Sequence, residues 1–240
     1  MSRSEVTSPV TNARIVGVLW LIVIATGLTA LVIRSKLIVS GDAAATAKNI
    51  LASESLFRLG FASDVVSFAS YIGLTVILYQ LLKPVSRSIS RLAAAFGVAG
   101  SVVGVLILVA LLAPLLLLGG APYLRAFQPD QLEALALTSL RLHGVAYDVT
   151  FVLFGLQCIL AGYLIARSTF IPRILGVLLA IGGLSYIISA FASFLSPSFG
   201  AQLSPHIIPA GLIGEGSLSV WLTVRGLNLQ RWNEQASLTT

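Results

Sequence analysis

The chain has 240 residues, of which 57% are hydrophobic and only 10% charged, with a formal net charge of +6 and a mean hydropathy of +0.96. Soluble domains carry about 25% charged residues, so this composition excludes an ordinary soluble enzyme and points to a membrane. The basic residues sit in short segments between apolar runs, which is a topology signal and not a nucleic-acid patch; one cysteine and two distant histidines leave no disulfide, cysteine-held cluster or structural metal site.

Residues 1–13 are polar and are expected to form a disordered tail. Ile15–Ile33 holds no charge and is long for a cleaved leader, so it reads as a retained first span. Arg34 to Ser55 is a polar connection, with Ser40-Gly41-Asp42 starting a short helix whose weak apolar side carries Ile50 and Leu51. Phe57–Leu82 is the second span, stopped by Pro84, which cannot continue the hydrogen-bond ladder. Leu92–Leu118 is the third. In the connection that follows, Tyr123 and Phe127 form an exposed aromatic pair. Pro129 suits a first helical position, and Asp130 and Glu133 suit the positive end of a helix dipole. Leu140–Arg167 is the fourth span and Ile174–Leu195 the fifth. A short loop over 196–206 precedes Ile207–Val224, the sixth, which is broken by glycine, serine and Pro209.

The expected fold is therefore all-α: a polytopic bundle of six transmembrane helices over residues 14–226, followed by a polar tail over 227–240. Nine Lys and Arg fall on one set of connecting segments and six on the other, so the richer set, with both termini, is expected on the cytoplasmic side of the membrane. Arg14-Ile-Val-Gly17, Arg91-Leu and Arg173-Ile-Leu-Gly176 open alternate spans. Arg58-Leu-Gly60 with Asp64 and Arg141-Leu-His143-Gly144 with Asp148 open two of the others, so three pseudo-repeated hairpins of about eighty residues are one reading and chance is the other.

Three acids lie inside apolar runs, Asp64, Asp148 and Glu215, one on each inward-running helix and all at similar expected depth. An ionisable group there costs roughly 2.5–3.5 kcal/mol on insertion scales and needs compensation. One reading makes them a polar intramembrane site, with His143 at its edge and Gly214-Glu215-Gly216 locally unwound into it. Such a site suits proton coupling or a cationic or polyhydroxylated head group. The other reading pairs the acids with Arg58 and Arg141, leaving the glycines as packing positions. On α-helical spacing, Arg141, Asp148, Gly155 and Gly162 share one face and mark a seam. No nucleotide-binding, zinc-protease or nucleophile-elbow motif occurs, so no catalytic, cofactor-binding or metal-ligating residue is assigned.

Two stretches carry a resemblance: Gly41-Asp-Ala-Ala-Ala-Thr46 through Asn49-Ile50, Glu54 and Phe57-Arg58-Leu-Gly60-Phe61, and Leu153-Phe154-Gly155-Leu156 with Gly162-Tyr163-Leu164 and Ile171-Pro172-Arg173-Ile174-Leu175-Gly176. Over about residues 12–230 the chain resembles the bacterial integral-membrane family called domain of unknown function 4386. The resemblance implies a stand-alone multi-pass protein of the bacterial inner membrane, with no established activity or catalytic residues. The leading expectation is a site for a small-molecule or lipid ligand, with a transport-related role. The alternatives are an accessory membrane scaffold and, least favoured, an intramembrane enzyme using His143 with Asp148 or Glu215. The lipid bilayer is the expected partner, and nucleic acid is not.

Overall fold

The computed structural model describes residues 8–238, and every regular element among them is helical. Seven helices run in order as α1 (Pro9–Leu37), α2 (Ala43–Ala52), α3 (Glu54–Leu82), α4 (Arg87–Leu117), α5 (Pro129–Arg167), α6 (Arg173–Leu195) and α7 (Pro197–Val224). A last short helix, α8 (Leu229–Ser237), follows them. Five of these, α1, α3, α4, α5 and α6, are long and apolar enough to cross a membrane.

Local chemistry sets most of the boundaries. Asp42 caps α2 by accepting from the Ala45 N–H at 2.9 Å, and Gly41 supplies the left-handed turn before it at φ +80°. Pro84 ends α3, Ser86 caps α4, and Pro129 occupies the first turn of α5. Tyr123 and Phe127 are exposed, as expected, in and just after a 3-10 turn at Pro122–Ala126.

Several boundaries differ from expectation. Residues 9–13 of the expected N-terminal tail already belong to α1; residues 1–7 lie outside the described residues. The expected 196–206 loop is helix, because Pro197 takes a first-turn position where its missing N–H costs nothing. The expected polar tail contains α8, which Asn228 caps by accepting from the Arg231 N–H and which Trp232 anchors by donating to the Leu81 carbonyl at 3.0 Å.

The long helices form a ring in which each packs on the next: α1 on α3, α3 on α4, α4 on α5, α5 on α6, α6 on α7, and α7 back on α1. The short α2 lies mainly against α5 at the end of the bundle where α1 finishes. In a bilayer the lipid is as apolar as leucine, so close van der Waals approach of helices carries the packing. Glycines supply that approach. A Cβ added at Gly155 would lie 2.6 Å from the Gly183 carbonyl oxygen, and one at Gly162 would lie 2.5 Å from that of Gly176. The Gly155–Gly162 part of the expected seam is thus the α5–α6 interface. Gly17 brings α1 equally close to Ser219 and Thr223 of α7.

Packing is uneven along the bundle axis. Trp20, Leu74, Leu81, Leu164, Ile165, Leu179, Leu218 and Leu222 are all fully buried and cluster in the half that holds the termini. That half is a closed plug. The opposite half, toward Arg34 and α2, is open inside the ring.

Candidate functional site

A cavity of about 480 Å³ occupies the open half, walled by α1, α3 and α5 with single turns of α6 and α7. Gly27 and Gly144 lie on its wall and withhold side chains from it. Its mouth carries Arg34, His143 and Asp148; its floor carries Tyr71, Tyr186 and Glu215; Phe68, Phe151 and Phe154 line the space between. The two levels are well separated. Glu215 Oε1 lies 3.7 Å from Cys158 Sγ, and Asp148 is ten residues earlier on α5 than Cys158, roughly 15 Å along a helix axis.

At the mouth, Arg34 reaches inward from the last turn of α1 and forms an ion pair and hydrogen bond with Asp64, which has no exposed surface. The guanidinium also lies 5.6 Å from the centre of the Tyr147 ring, and that ring is 5.6 Å from His143. A planar, weakly hydrated guanidinium suits this double role better than an ammonium would. Asp148 is half-buried beside the Ser193 hydroxyl of α6, on the same seam as Gly155 and Gly162.

At the floor, Glu215 is buried among neutral groups: the Cys158 thiol, the Tyr186 phenol and the Trp20 indole, whose N–H faces it without reaching hydrogen-bond geometry. The rings around it are ordered by stacking, Tyr71 on Phe154 at 3.9 Å between centres and Phe151 on Tyr186 at 5.0 Å, with Trp20 edge-on to Tyr71. Among the described residues, four buried polar atoms on or just behind this wall have no hydrogen-bond partner: Trp20 Nε1, Asp64 Oδ1, Tyr71 OH and His143 Nε2. Buried polar groups are nearly always paired, so their concentration around one cavity leaves donors and acceptors there for a polar occupant.

Several expectations are corrected. Arg58 pairs with Glu54 one turn away on the exposed face of α3 at 2.7 Å, and Arg141 is exposed with no carboxylate in ion-pair range among the described residues, so neither compensates an acid inside the apolar runs. Arg34 does so for Asp64, because α1 continues past the expected loop boundary to Leu37 and keeps Arg34 on a helix facing α3. The three acids do not share one depth, since α7 packs with Glu215 beside Cys158, ten residues further along α5 than Asp148, at the floor of the cavity. Gly214–Gly216 does not unwind: α7 is helical throughout, and Gly214 lets it approach the Leu178 carbonyl oxygen. What the structure brings together is Asp148, His143 and Glu215 on the cavity wall, with Asp64 behind Arg34. Arg58 and Arg141 stay outside.

Sequence reasoning missed Arg34, Trp20, Tyr71 and Tyr186. One signal for Tyr71 was present: Asp64, Ser67, Tyr71 and Thr75 recur at helical spacing and all four are buried on α3. Among the described residues no three His, Cys, Asp or Glu side chains come together as metal ligands.

Fold and site together define an all-helical bundle, five of whose helices are long and apolar enough to cross a membrane, with a cavity in one half whose largely apolar wall carries a few ionisable side chains. The chain belongs to the family described as Domain of unknown function (DUF4386), whose profile matches residues 15–226. It is also similar to an uncharacterized protein of Archaeoglobus fulgidus, 26% identical over 157 residues that make up 64% of this chain and 75% of that one. No solved structure matches.

Proposed function

We propose that the protein is a six-span bundle of the cytoplasmic membrane, with both termini inside, whose outward-opening cavity binds a small amphipathic cation for recognition or transport. A sixth span is supported by α7, 28 residues long, which completes the ring between α6 and α1. The orientation rests on the basic residues, nine on the terminal side against six on the other.

The observation that carries the binding reading is Glu215. It is a buried carboxyl on the floor of a cavity, with only neutral donors around it and no cationic side chain in ion-pair range among the described residues. A ligand ammonium placed there offsets the cost of a carboxylate at membrane depth. The Tyr71 and Tyr186 rings on the cavity lining add cation–π attraction of ~0.5–2 kcal/mol. The apolar remainder of the ligand then lies along Phe68, Phe151 and Phe154, and Asp148 at the mouth favours entry of a positive charge. A scaffold reading accounts for Asp64, held by Arg34, and for Asp148 beside Ser193, but leaves Glu215 with neutral partners and no countercharge among the described residues.

Thermal stability of the purified protein tests this. A phenylalkyl-trimethylammonium ion should raise Tm, while the neutral alcohol and the carboxylate of the same skeleton should not, and Glu215→Gln should abolish the response. Equal stabilisation by all three compounds, or a full response in Glu215→Gln, favours the scaffold.

Orientation has its own test. With buried Cys158 replaced by serine, Lys48→Cys and Gln128→Cys should react with a membrane-impermeant maleimide in intact cells, and Lys83→Cys only after permeabilisation. The reverse pattern would turn the bundle over and place the cavity on the inner side.

A further inference from the structure

At the opposite end of the bundle from the cavity, a cleft of about 350 Å³ lies between the α5–α6 loop, the end of α7 and the start of α8. We propose that it is a binding site for the phosphate of an anionic phospholipid in the leaflet at that end. It is independent of the cation site and of the bundle's orientation.

Two arginines, Arg225 and Arg231, line the cleft, and no acidic side chain does. Among the described residues neither has a carboxylate within ion-pair distance. Glu234, the acid nearest in sequence on α8, is exposed and accepts from Gln230 instead. Two uncompensated guanidiniums in one concave site are the donor set for a phosphate ester, which they bind by charge-assisted and often bidentate hydrogen bonds.

The cleft is also built and fixed. Gly226, at φ +68°, makes the turn that folds α8 back from α7. The Asn228 N–H donates to the Phe170 carbonyl at 3.1 Å, and Arg231 donates to the Thr169 carbonyl at 3.3 Å through one guanidinium nitrogen. The rest of that fork, and the whole of the Arg225 guanidinium, make no hydrogen bond within the described protein. Thr169 in turn donates its N–H and hydroxyl to Gln235, tying the loop to α8.

A soluble phosphate ester offers the same anion, but the surroundings favour a lipid. Trp221, one turn before Arg225, lines the cleft and is partly exposed, the position an interfacial tryptophan takes at head-group level. From it the exposed Val220 and Val224 continue along α7 as an apolar surface for acyl chains.

The test uses the full chain in detergent, titrated with short-chain phosphatidylglycerol, short-chain phosphatidylcholine and glycerol phosphate, with Tm as the readout. Phosphatidylglycerol should stabilise the wild type at concentrations where the other two do not. Its apparent affinity should fall roughly fivefold for each arginine neutralised, in Arg225→Gln and in Arg225→Gln/Arg231→Gln. Arg225→Gln breaks no hydrogen bond or ion pair among the described residues, so it remains informative if the double variant does not fold. Equal stabilisation by phosphatidylcholine, or an unchanged affinity in Arg225→Gln, would overturn the proposal. Stabilisation by glycerol phosphate at the same concentration would overturn the lipid assignment in favour of a soluble phosphate ester.

Discussion

Arg34→Leu is expected to destabilise the bundle by roughly 3–5 kcal/mol, the cost of leaving a buried charge without its partner. Asp64 has no exposed surface, and one of its oxygens already lacks a partner, so losing Arg34 strips the carboxyl of its compensation. The reciprocal change is milder. In Asp64→Leu the guanidinium, 15% exposed and one turn from the end of α1, can turn outward and keep its contact with Tyr147. The double variant Arg34→Leu/Asp64→Leu should recover most of the loss, because well-packed apolar residues often replace a buried pair at little cost. Unfolding of the four proteins in mixed micelles gives the coupling directly. Wild-type stability in Arg34→Leu would mean that Asp64 has another partner.

The second large effect is expected at the α5–α6 interface. A Cβ on Gly162 would meet the Gly176 carbonyl oxygen at 2.5 Å, the Ala180 N at 2.9 Å and the Ala180 Cβ at 3.0 Å. Most of these atoms are backbone, so no side chain can rotate away and the helices must separate. Gly162→Ala should therefore cost about 1–3 kcal/mol, and Gly162→Leu more. Gly216 is the internal control, since nothing lies within 4 Å of a Cβ there. Mid-helix alanine is favoured over glycine, so Gly216→Ala should be neutral or stabilise by up to ~1 kcal/mol. The same unfolding assay checks both, and equal losses at the two sites would contradict the packing described.

Those two sites show how much the amino-acid pattern makes legible. Charges inside apolar runs are anomalous wherever they occur, so Asp64, Asp148 and Glu215 stand out from the residue order alone. Gly155 and Gly162 fall on one face because helical spacing fixes it. Partners are another matter. Whether Asp64 meets Arg58, Arg141 or Arg34 depends on how neighbouring helices rotate and how far each extends, and a hydropathy boundary at Ile33 puts Arg34 in a loop. The start of α7 is hidden by Pro197 and Pro205, which read as loop residues. Inside a bundle, neighbouring groups can satisfy the backbone that an interior proline frees. In α8 the apolar content is slight; its place comes from the Asn228 cap and the Trp232 bond to Leu81, a contact 151 residues apart that no local pattern announces. The aromatic floor escapes notice for a related reason. Trp20, Tyr71 and Tyr186 sit on three different helices and become a group only once the ring closes.

The central claim is that the cavity around Glu215 is a cation site, and equilibrium binding of a radiolabelled phenylalkyl-trimethylammonium ion to the protein in lipid nanodiscs tests it most directly. The account predicts one saturable site per chain, displaced by other amphipathic amines but not by their neutral analogues. Affinity should be at least tenfold weaker in Glu215→Gln and reduced to a smaller extent in Asp148→Asn. Non-saturable uptake equal to that of empty nanodiscs, or one site of unchanged affinity in Glu215→Gln, would contradict it.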